Sequence, residues 1–360
     1  MKSTEGQYYP NLDHIRAMAA FLVFAWHFAH FSIPISHKPS IYLLAIVDEG
    51  HCGVSLFMVL SGYLFAKLLA GRSILISAFY YNRLLRLAPL LIVVLLAAGA
   101  LQARHGVSLL QYLIHLPLGL LLPTWPAGAW SITTELHFYI LLPLLLWLLR
   151  DRPLALVGIV VAAIAFRLAW WAYSGSVQEL AYYTILGRID QFLFGMLASR
   201  FAVALKGRHA IAIASILAFL CYYYWFDMAG GFQDMPVYPS PSAIWIVMPT
   251  IEALVFSIFV AWYDQSFSFR DNWLSRSLAL VGTVSYSIYL LHDFLIKTLT
   301  HLYEAIFGRI GSIEEALVAS LFGFALTVPV AWVSYKLIES PFLRFRVRYL
   351  APRNTTGTAA

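Results

Sequence analysis

Residues 12–28 read LDHIRAMAAFLVFAWHF, and this stretch decides the class of fold. From Ala17 to Phe28 it is almost wholly apolar. Yet Asp13, His14 and Arg16 stand at one end and His27 near the other. A bilayer span takes about 20 mainly apolar residues, and this run with its flanks reaches that length. It is too long for the apolar region of a cleavable leader, and no small-residue cleavage site follows it. It is therefore expected to stay in place as a first spanning helix.

The rest of the chain agrees. Of 360 residues, 61% are hydrophobic and 12% charged, and the mean hydropathy is +0.75. A soluble domain carries about 25% charged residues, so half that share leaves too little polar surface for a water-soluble globule. The 21 Tyr and 11 Trp suit anchoring at membrane interfaces. Cys52 and Cys221 lie far apart, so neither a disulfide framework nor a metal site is expected.

The apolar segments predict an all-α, polytopic transmembrane bundle of about ten helices. Their expected limits are 14–34, 52–70, 86–103, 131–149, 154–173, 184–201, 209–227, 243–263, 278–299 and 316–338. No strand pattern or internal repeat stands out. Between 104 and 130, the apolar LLQYLIHLPLGLLLP is too short to span and is expected to be re-entrant or interfacial. The Gly- and Pro-rich 228–242 reads as irregular.

Positive charges orient the bundle. With a cytoplasmic N-terminus, the inner connections hold Lys67, Arg72, Arg83, Arg86, Arg150, Arg152, Arg200, Lys206, Arg208, Arg270 and Arg276, then Lys336, Arg344, Arg346, Arg348 and Arg353. The outer ones hold little beyond Lys38, Arg104 and Arg309. The positive-inside rule then predicts N-in, C-in and an even helix count. The net charge of +6 is a topology signal. Scattered among short connections, it forms no compact basic domain, which argues against nucleic acid as a partner. The expected organisation is a cytoplasmic N-terminal segment 1–13, a membrane domain 14–345 and a disordered cytoplasmic tail 346–360. That tail includes the small, polar RNTTGTAA.

Ionisable groups at membrane depth usually face the bundle interior and pair or work there. Arg16 and His27 are separated by about three helical turns, or roughly 16 Å, and return to within roughly 20° of one face. Glu135, in WSITTELHFY, and Tyr289 and His292, in SYSIYLLHD, are expected in the outer half. Convergence of His27, Glu135 and His292 on one chamber is the expectation, with Arg16, Arg83 and Arg86 marking the inner face. Structural roles compete. His27 can simply bond a neighbouring helix, and Glu135 can pair with Arg167 or Arg188. Arg83 and Arg86 can serve topology or lipid headgroups. Arg188 and Asp190 read as structural, His30, His37, His51 and His115 as interfacial, and Glu252 receives no role.

Seven motifs now agree in order. LDHIRAMAAFLVFAWH, GVSLFMVLSGYLF, YYNRLLRLAPL, WSITTELHFYILLPLLL, GRIDQFLFGMLAS, SYSIYLLH and ESPFLRF together resemble the integral membrane acyltransferase-3 family. Its members are O-acyltransferases of bacterial surface polysaccharides and related glycans. The resemblance runs from Leu12 to Phe345. It implies that His27 is the essential first-helix histidine and Arg16 its paired arginine. It implies that Arg83 and Arg86 belong to an inner loop linked to the acyl donor, and that Glu135 is the motif carboxylate. Three departures stand out. His14 replaces a usual glycine, Ser55 a common aspartate, and Leu136–His137 a frequent Glu-Gln pair.

The implied chemistry transfers an acyl group, most often acetyl and alternatively succinyl, from acyl-coenzyme A to a sugar hydroxyl. Acyl-coenzyme A would be a co-substrate, with no bound cofactor. The acceptor would be a cell-surface or exported glycan or a lipid-linked sugar, and the location the bacterial inner membrane. His27 and Glu135 are the catalytic candidates, with His27 as general base. Arg16, Arg83 and Arg86 are the donor-binding candidates, because guanidinium forks suit phosphates. Trp130, Ser61, Tyr289 and His292 are acceptor-pocket candidates. The competing reading is a proton-coupled transporter or a lipid or glycan flippase, since buried charges also build proton relays. Against it stands the lack of an inverted repeat or paired broken helices. A non-catalytic scaffold leaves the intramembrane polar groups without a purpose.

Overall fold

The computed structural model describes residues 8–33, 38–69, 72 and 74–350. Its helices are α1 Pro10–Ser32, α2 Ala45–Asp48, α3 Cys52–Leu69, α4 Ile76–Arg104, α5 Leu109–His115, α6 Trp130–Asp151, α7 Pro153–Ser174 and α8 Gln178–Tyr183. Then come α9 Ile185–Arg200, α10 His209–Met228, α11 Met248–Ser266, α12 Trp273–Thr283, α13 Ser285–Phe307, α14 Ile313–Ser334 and α15 Ser340–Leu343. Among the described residues, the only strand-like pairing is an isolated antiparallel bridge between Ile74 and Leu350. The chain is a polytopic helical bundle, as its composition requires.

Nine of the ten expected segments each fall on one helix, whereas 278–299 straddles the break between α12 and α13; not all are lipid-like. Among the described residues, seven helices are long and apolar enough to cross a membrane. α12 and α13, bent by 70° at their junction, make an eighth if taken as one span. α9 and α11 fall outside that set. α9 buries Arg188, Asp190 and Gln191, and α11 buries Glu252 and Ser257. Arg188, Gln191 and Glu252 bond one another in the bundle interior, and α9 is only 16 residues long, so neither helix has the make-up of a lipid-facing span. Large apolar side chains elsewhere, such as Leu154, Leu121 and Leu337, are mostly exposed on the outside of the bundle. That is the surface lipid tails cover.

α3 and α9 form the most extensive helix pair, flanked by α1 and α11. Two glycines set their approach. A Cβ at Gly62 would fall 2.0 Å from the Phe192 carbonyl oxygen, and one at Gly195 would fall 2.0 Å from that of Val59. Small residues let helix backbones approach this closely in a membrane.

Several boundaries differ from expectation, and three of them matter for the site. α1 begins at Pro10, where a first-turn proline costs no hydrogen bond. α4 begins at Ile76, so Arg83 and Arg86 sit on a helix rather than in a loop. The sequence AFYYNRLLRLA has no Gly or Pro to stop it, and the three-residue spacing puts both arginines on one face. The C-terminal segment from Arg346 to Leu350, expected in a disordered tail, instead folds back onto α4. Asn82 Nδ2 donates to the Val347 carbonyl at 2.7 Å, and the Val347 N–H donates to Asn82 Oδ1 at 3.0 Å. The Leu75 N–H donates to the Tyr349 carbonyl at 2.8 Å. Residues 351–360 lie outside the described residues.

The segment between α4 and α6 holds α5 and a 3-10 turn, too short to span. Tyr112 ties it to α4 by donating to the Leu95 carbonyl at 2.7 Å. Thr133 ties it to α6 by donating to the Gly119 carbonyl.

Candidate active site

A cavity of about 200 Å³ opens between α1, α3, α4, α6 and α13. One end is basic. Arg16, Arg83, Arg86 and Arg346 all line it. Arg16 and Arg86 are ion-paired. Arg16 Nη1 donates to Asp13 Oδ1 at 2.7 Å, and Arg86 Nη1 donates to Glu339 Oε2 at 2.5 Å. Asp13 and Glu339 are buried, so each pair is shielded on its acidic side. Arg83 is held differently. Its guanidinium lies 5.2 Å from the Phe65 ring, 5.6 Å from Phe79 and 5.9 Å from Tyr139. Its Nε is buried with no hydrogen-bond partner. Aromatic faces hold the cation in place, and its Nε is left for a ligand.

Glu135 lines the same cavity and accepts a hydrogen bond from Tyr139, one turn along α6. It pairs with neither Arg167 nor Arg188. Arg167 bonds Asp190 at 2.8 Å, Thr250 Oγ1 at 2.7 Å and the Gly187 carbonyl at 2.6 Å. Arg188 donates to Ser55 at 2.9 Å and to Gln191 Oε1 at 3.0 Å. Glu252, given no role by the sequence, completes that second network by accepting from Ser55, Gln191 and Tyr223. Ser55 is thus a hub in a buried network whose carboxylate comes from α11.

Toward the other end, the cavity is lined by Ser61, Ser131 and Tyr289. Ser131 donates to Tyr289 at 2.7 Å, and Tyr289 donates to the Gly128 carbonyl at 2.9 Å. Behind Tyr289 stands His292, with ring centroids 5.8 Å apart. Behind that stands His27, 4.5 Å from His292 and inclined by 68°. His27 Nδ1 lies 2.8 Å from the Val23 carbonyl and His292 Nδ1 lies 2.5 Å from that of Tyr289. A carbonyl only accepts, so both Nδ1 atoms carry a proton, and in the neutral imidazole each Nε2 then presents a lone pair. His292 Nε2 is buried without a partner.

The sequence-predicted residues therefore fall into two neighbouring groups. Arg16, Arg83, Arg86, Glu135, Ser61 and Tyr289 line one cavity. His27 and His292 adjoin each other just past its Tyr289 wall and do not line it. Glu135 keeps company with the arginines rather than with His27. Trp130 also lies off the cavity, packed against Tyr182 and Tyr183 at 5.0 and 4.8 Å. His51, expected at an interface, is buried among Phe232, Tyr182 and Tyr223, with its Nε2 at 3.0 Å from Glu49. His37 lies outside the described residues.

Three residues of the site were not singled out by sequence reasoning. Tyr139 was legible from its four-residue spacing after Glu135 on a helix. Glu339 opens the ESPFLRF motif and Arg346 follows it directly, but nothing local says that they return to α4.

Comparison with known proteins fits this arrangement. The sequence profile of an acyltransferase domain family matches residues 9–336. A protein provisionally named membrane-bound transacylase BcsY, from Komagataeibacter xylinus, is 27% identical across 97% of this chain and 86% of its own length. The exopolysaccharide production protein ExoZ of Rhizobium meliloti is 28% identical across 86% of this chain and 94% of its own. The peptidoglycan O-acetyltransferase OatA of Listeria monocytogenes is 24% identical across 93% of this chain, which spans 56% of that longer protein. No solved structure matches the chain. A helical membrane bundle, an arginine-lined cavity abutting a histidine pair, and a family match over nearly the whole chain lead to one assignment: the protein belongs to the acyltransferase-3 family of membrane acyltransferases.

Proposed function

We propose that this protein transfers an acyl group, acetyl in the first instance, from cytosolic acyl-coenzyme A to a hydroxyl of a cell-surface or exported glycan. In this reading it works in the bacterial inner membrane. The observation that carries the reading is the cavity itself. It runs from a cluster of arginines to a tyrosine packed against His292, which in turn packs against His27, and the polarity changes along it from cationic to neutral.

Coenzyme A has the matching polarity: phosphates at one end, a thin neutral pantetheine arm, and a thioester at the other end. The phosphates take Arg83, with Arg16 and Arg86 alongside, through charge-assisted bonds. The arm follows the apolar wall of Phe57, Met58 and Leu87. The thioester then arrives beside Ser131 and Tyr289. His27 Nε2 accepts the proton of the acceptor hydroxyl as its oxygen attacks the thioester carbon. The carbon–sulfur bond breaks, and the coenzyme A thiolate takes up a proton. General-base help of this kind is worth about 10²–10⁴-fold. Tyr289, already donating to the Gly128 carbonyl, orients the wall next to His292. Glu135 tempers the positive field of the arginines and fixes Tyr139 beneath Arg83.

The glycan acceptor is supported by two relatives, one named for exopolysaccharide production and one for peptidoglycan O-acetyl transfer. The test is acetyl transfer from isotopically labelled acetyl-coenzyme A to a panel of bacterial glycans by the detergent-purified protein. Labelled ester on a glycan, absent with His27→Ala, supports the reading. Labelled lipid with no labelled glycan contradicts the acceptor class.

A further inference from the structure

We propose that the segment after the last helix is part of the donor site, with Arg346 as a fourth guanidinium for the phosphates of coenzyme A. The inference rests on the donor reading above and extends it to residues outside the family match, which ends at residue 336.

The segment is built into the inner mouth of the cavity. A π-helical turn at Tyr335–Glu339 and the short α15 turn the chain back toward α4. Asn82 clamps Val347 through both of its main-chain groups, at 2.7 and 3.0 Å. Leu75 and Ile74 fasten Tyr349 and Leu350. Arg346 and Tyr349 thereby become walls of the same cavity as Arg83 and Arg86. Asn82 is wholly buried, which is costly for an amide unless its bonds are made, so the clamp is a designed contact.

Electrostatics gives the clamp a purpose. Arg346 is lowered from its ordinary pKa by burial and then by the charges of Arg83 and Arg86. Gathering guanidiniums where they repel one another costs free energy at partial burial, and a bound polyanion offsets it. Coenzyme A carries several phosphate charges at the end that enters here.

The experiment compares binding of acetyl-coenzyme A and of phosphate-free acetyl-pantetheine to the full-length protein. Wild type, Arg346→Ala, Arg346→Lys, Asn82→Ala and Arg83→Ala are measured side by side. Loss of a charge-assisted contact predicts a Kd for acetyl-coenzyme A raised on the order of tenfold to a hundredfold in Arg346→Ala. Arg346→Lys recovers part of it. Asn82→Ala, which frees the segment but keeps Arg346, shifts the Kd in the same direction. Binding of acetyl-pantetheine stays unchanged in Arg346→Ala. Equal weakening of both donors reduces the segment to a structural element and overturns the proposal. Unchanged coenzyme binding in Arg346→Ala with a clear loss in Arg83→Ala overturns it while leaving the donor reading intact. Failure of the wild type to bind coenzyme A overturns both.

Discussion

His27 and His292, on α1 and α13, stand with ring centroids 4.5 Å apart and both donate through Nδ1 to main-chain carbonyls. In the neutral imidazole each Nε2 then keeps a lone pair that can accept a proton. A substrate hydroxyl supplies one. Replacing His27 by Ala removes the proposed base and is expected to lower transfer by about 10²–10⁴-fold, with donor affinity retained. Replacing His292 by Ala removes a neighbour rather than the base, so a smaller loss is expected. Steady-state rates beside donor Kd values check both. Equal losses in the two variants would reverse or merge these roles.

Arg83 and Arg86 are three residues apart on α4 and line the same cavity, yet their deletions should differ. Arg86→Ala strands Glu339, a fully buried carboxylate. Breaking a buried pair costs about 3–5 kcal/mol at full burial, and the partial exposure of Arg86 lowers that figure. Arg83 is held by aromatic rings and, among the described residues, is in no direct ion pair with a carboxylate. Thermal unfolding in detergent should therefore show a drop for Arg86→Ala and little change for Arg83→Ala, while both weaken coenzyme A binding.

Between the first two spanning helices, buried Asp48 lies near the Lys38–Asp227 pair, whose atoms are 2.7 Å apart. Burial, then the charges of Asp227 and Glu49, raise its pKa to about 9. A carboxyl raised in the folded state binds a proton on folding. Its favourable contribution holds at low pH and is lost as pH climbs from the ordinary aspartate range toward about 9. Asp48→Asn mimics the protonated acid at every pH. Its Tm advantage over wild type should grow between about pH 5 and pH 9. A gap that does not change with pH would mean that Asp48 is not the titrating group.

The α3–α9 contact predicts a steric phenotype. Gly195→Val must push α9 away from the Val59 carbonyl, and Gly62→Val must do the same at Phe192. Overpacking of this kind costs about 1–3 kcal/mol, or more against rigid backbone. Since Met58, Ser61 and Phe192 line the cavity, donor binding should weaken along with stability. Full donor affinity in a destabilised Gly195→Val protein would show that the cavity does not depend on this contact.

Membrane character, helix positions and the shared face of Arg16 and His27 were legible because each depends on local pattern. The length of an apolar run and the helical repeat are enough. The partners of the buried charges were not legible. Glu252 meets Ser55, and Glu339 meets Arg86, across gaps of 197 and 253 residues. Such pairings are set by which helices pack, and the apolar periodicity of a membrane bundle says little about that. Glu135 was misplaced for the same reason. Its depth along α6 was readable, but not that Tyr139 and the arginines would surround it. The return of the C-terminal segment depends on Asn82, one polar residue among many on the inner surface.

The central claim is that the arginine end of the cavity holds coenzyme A while His27 acts at the thioester end. The most direct measurement is thiol release from acetyl-coenzyme A by the purified protein with a glycan acceptor, in wild type, His27→Ala and Arg83→Ala, with donor binding measured alongside. The account predicts that His27→Ala binds the donor and releases almost no thiol, and that Arg83→Ala loses donor affinity. Undiminished thiol release by His27→Ala would contradict it.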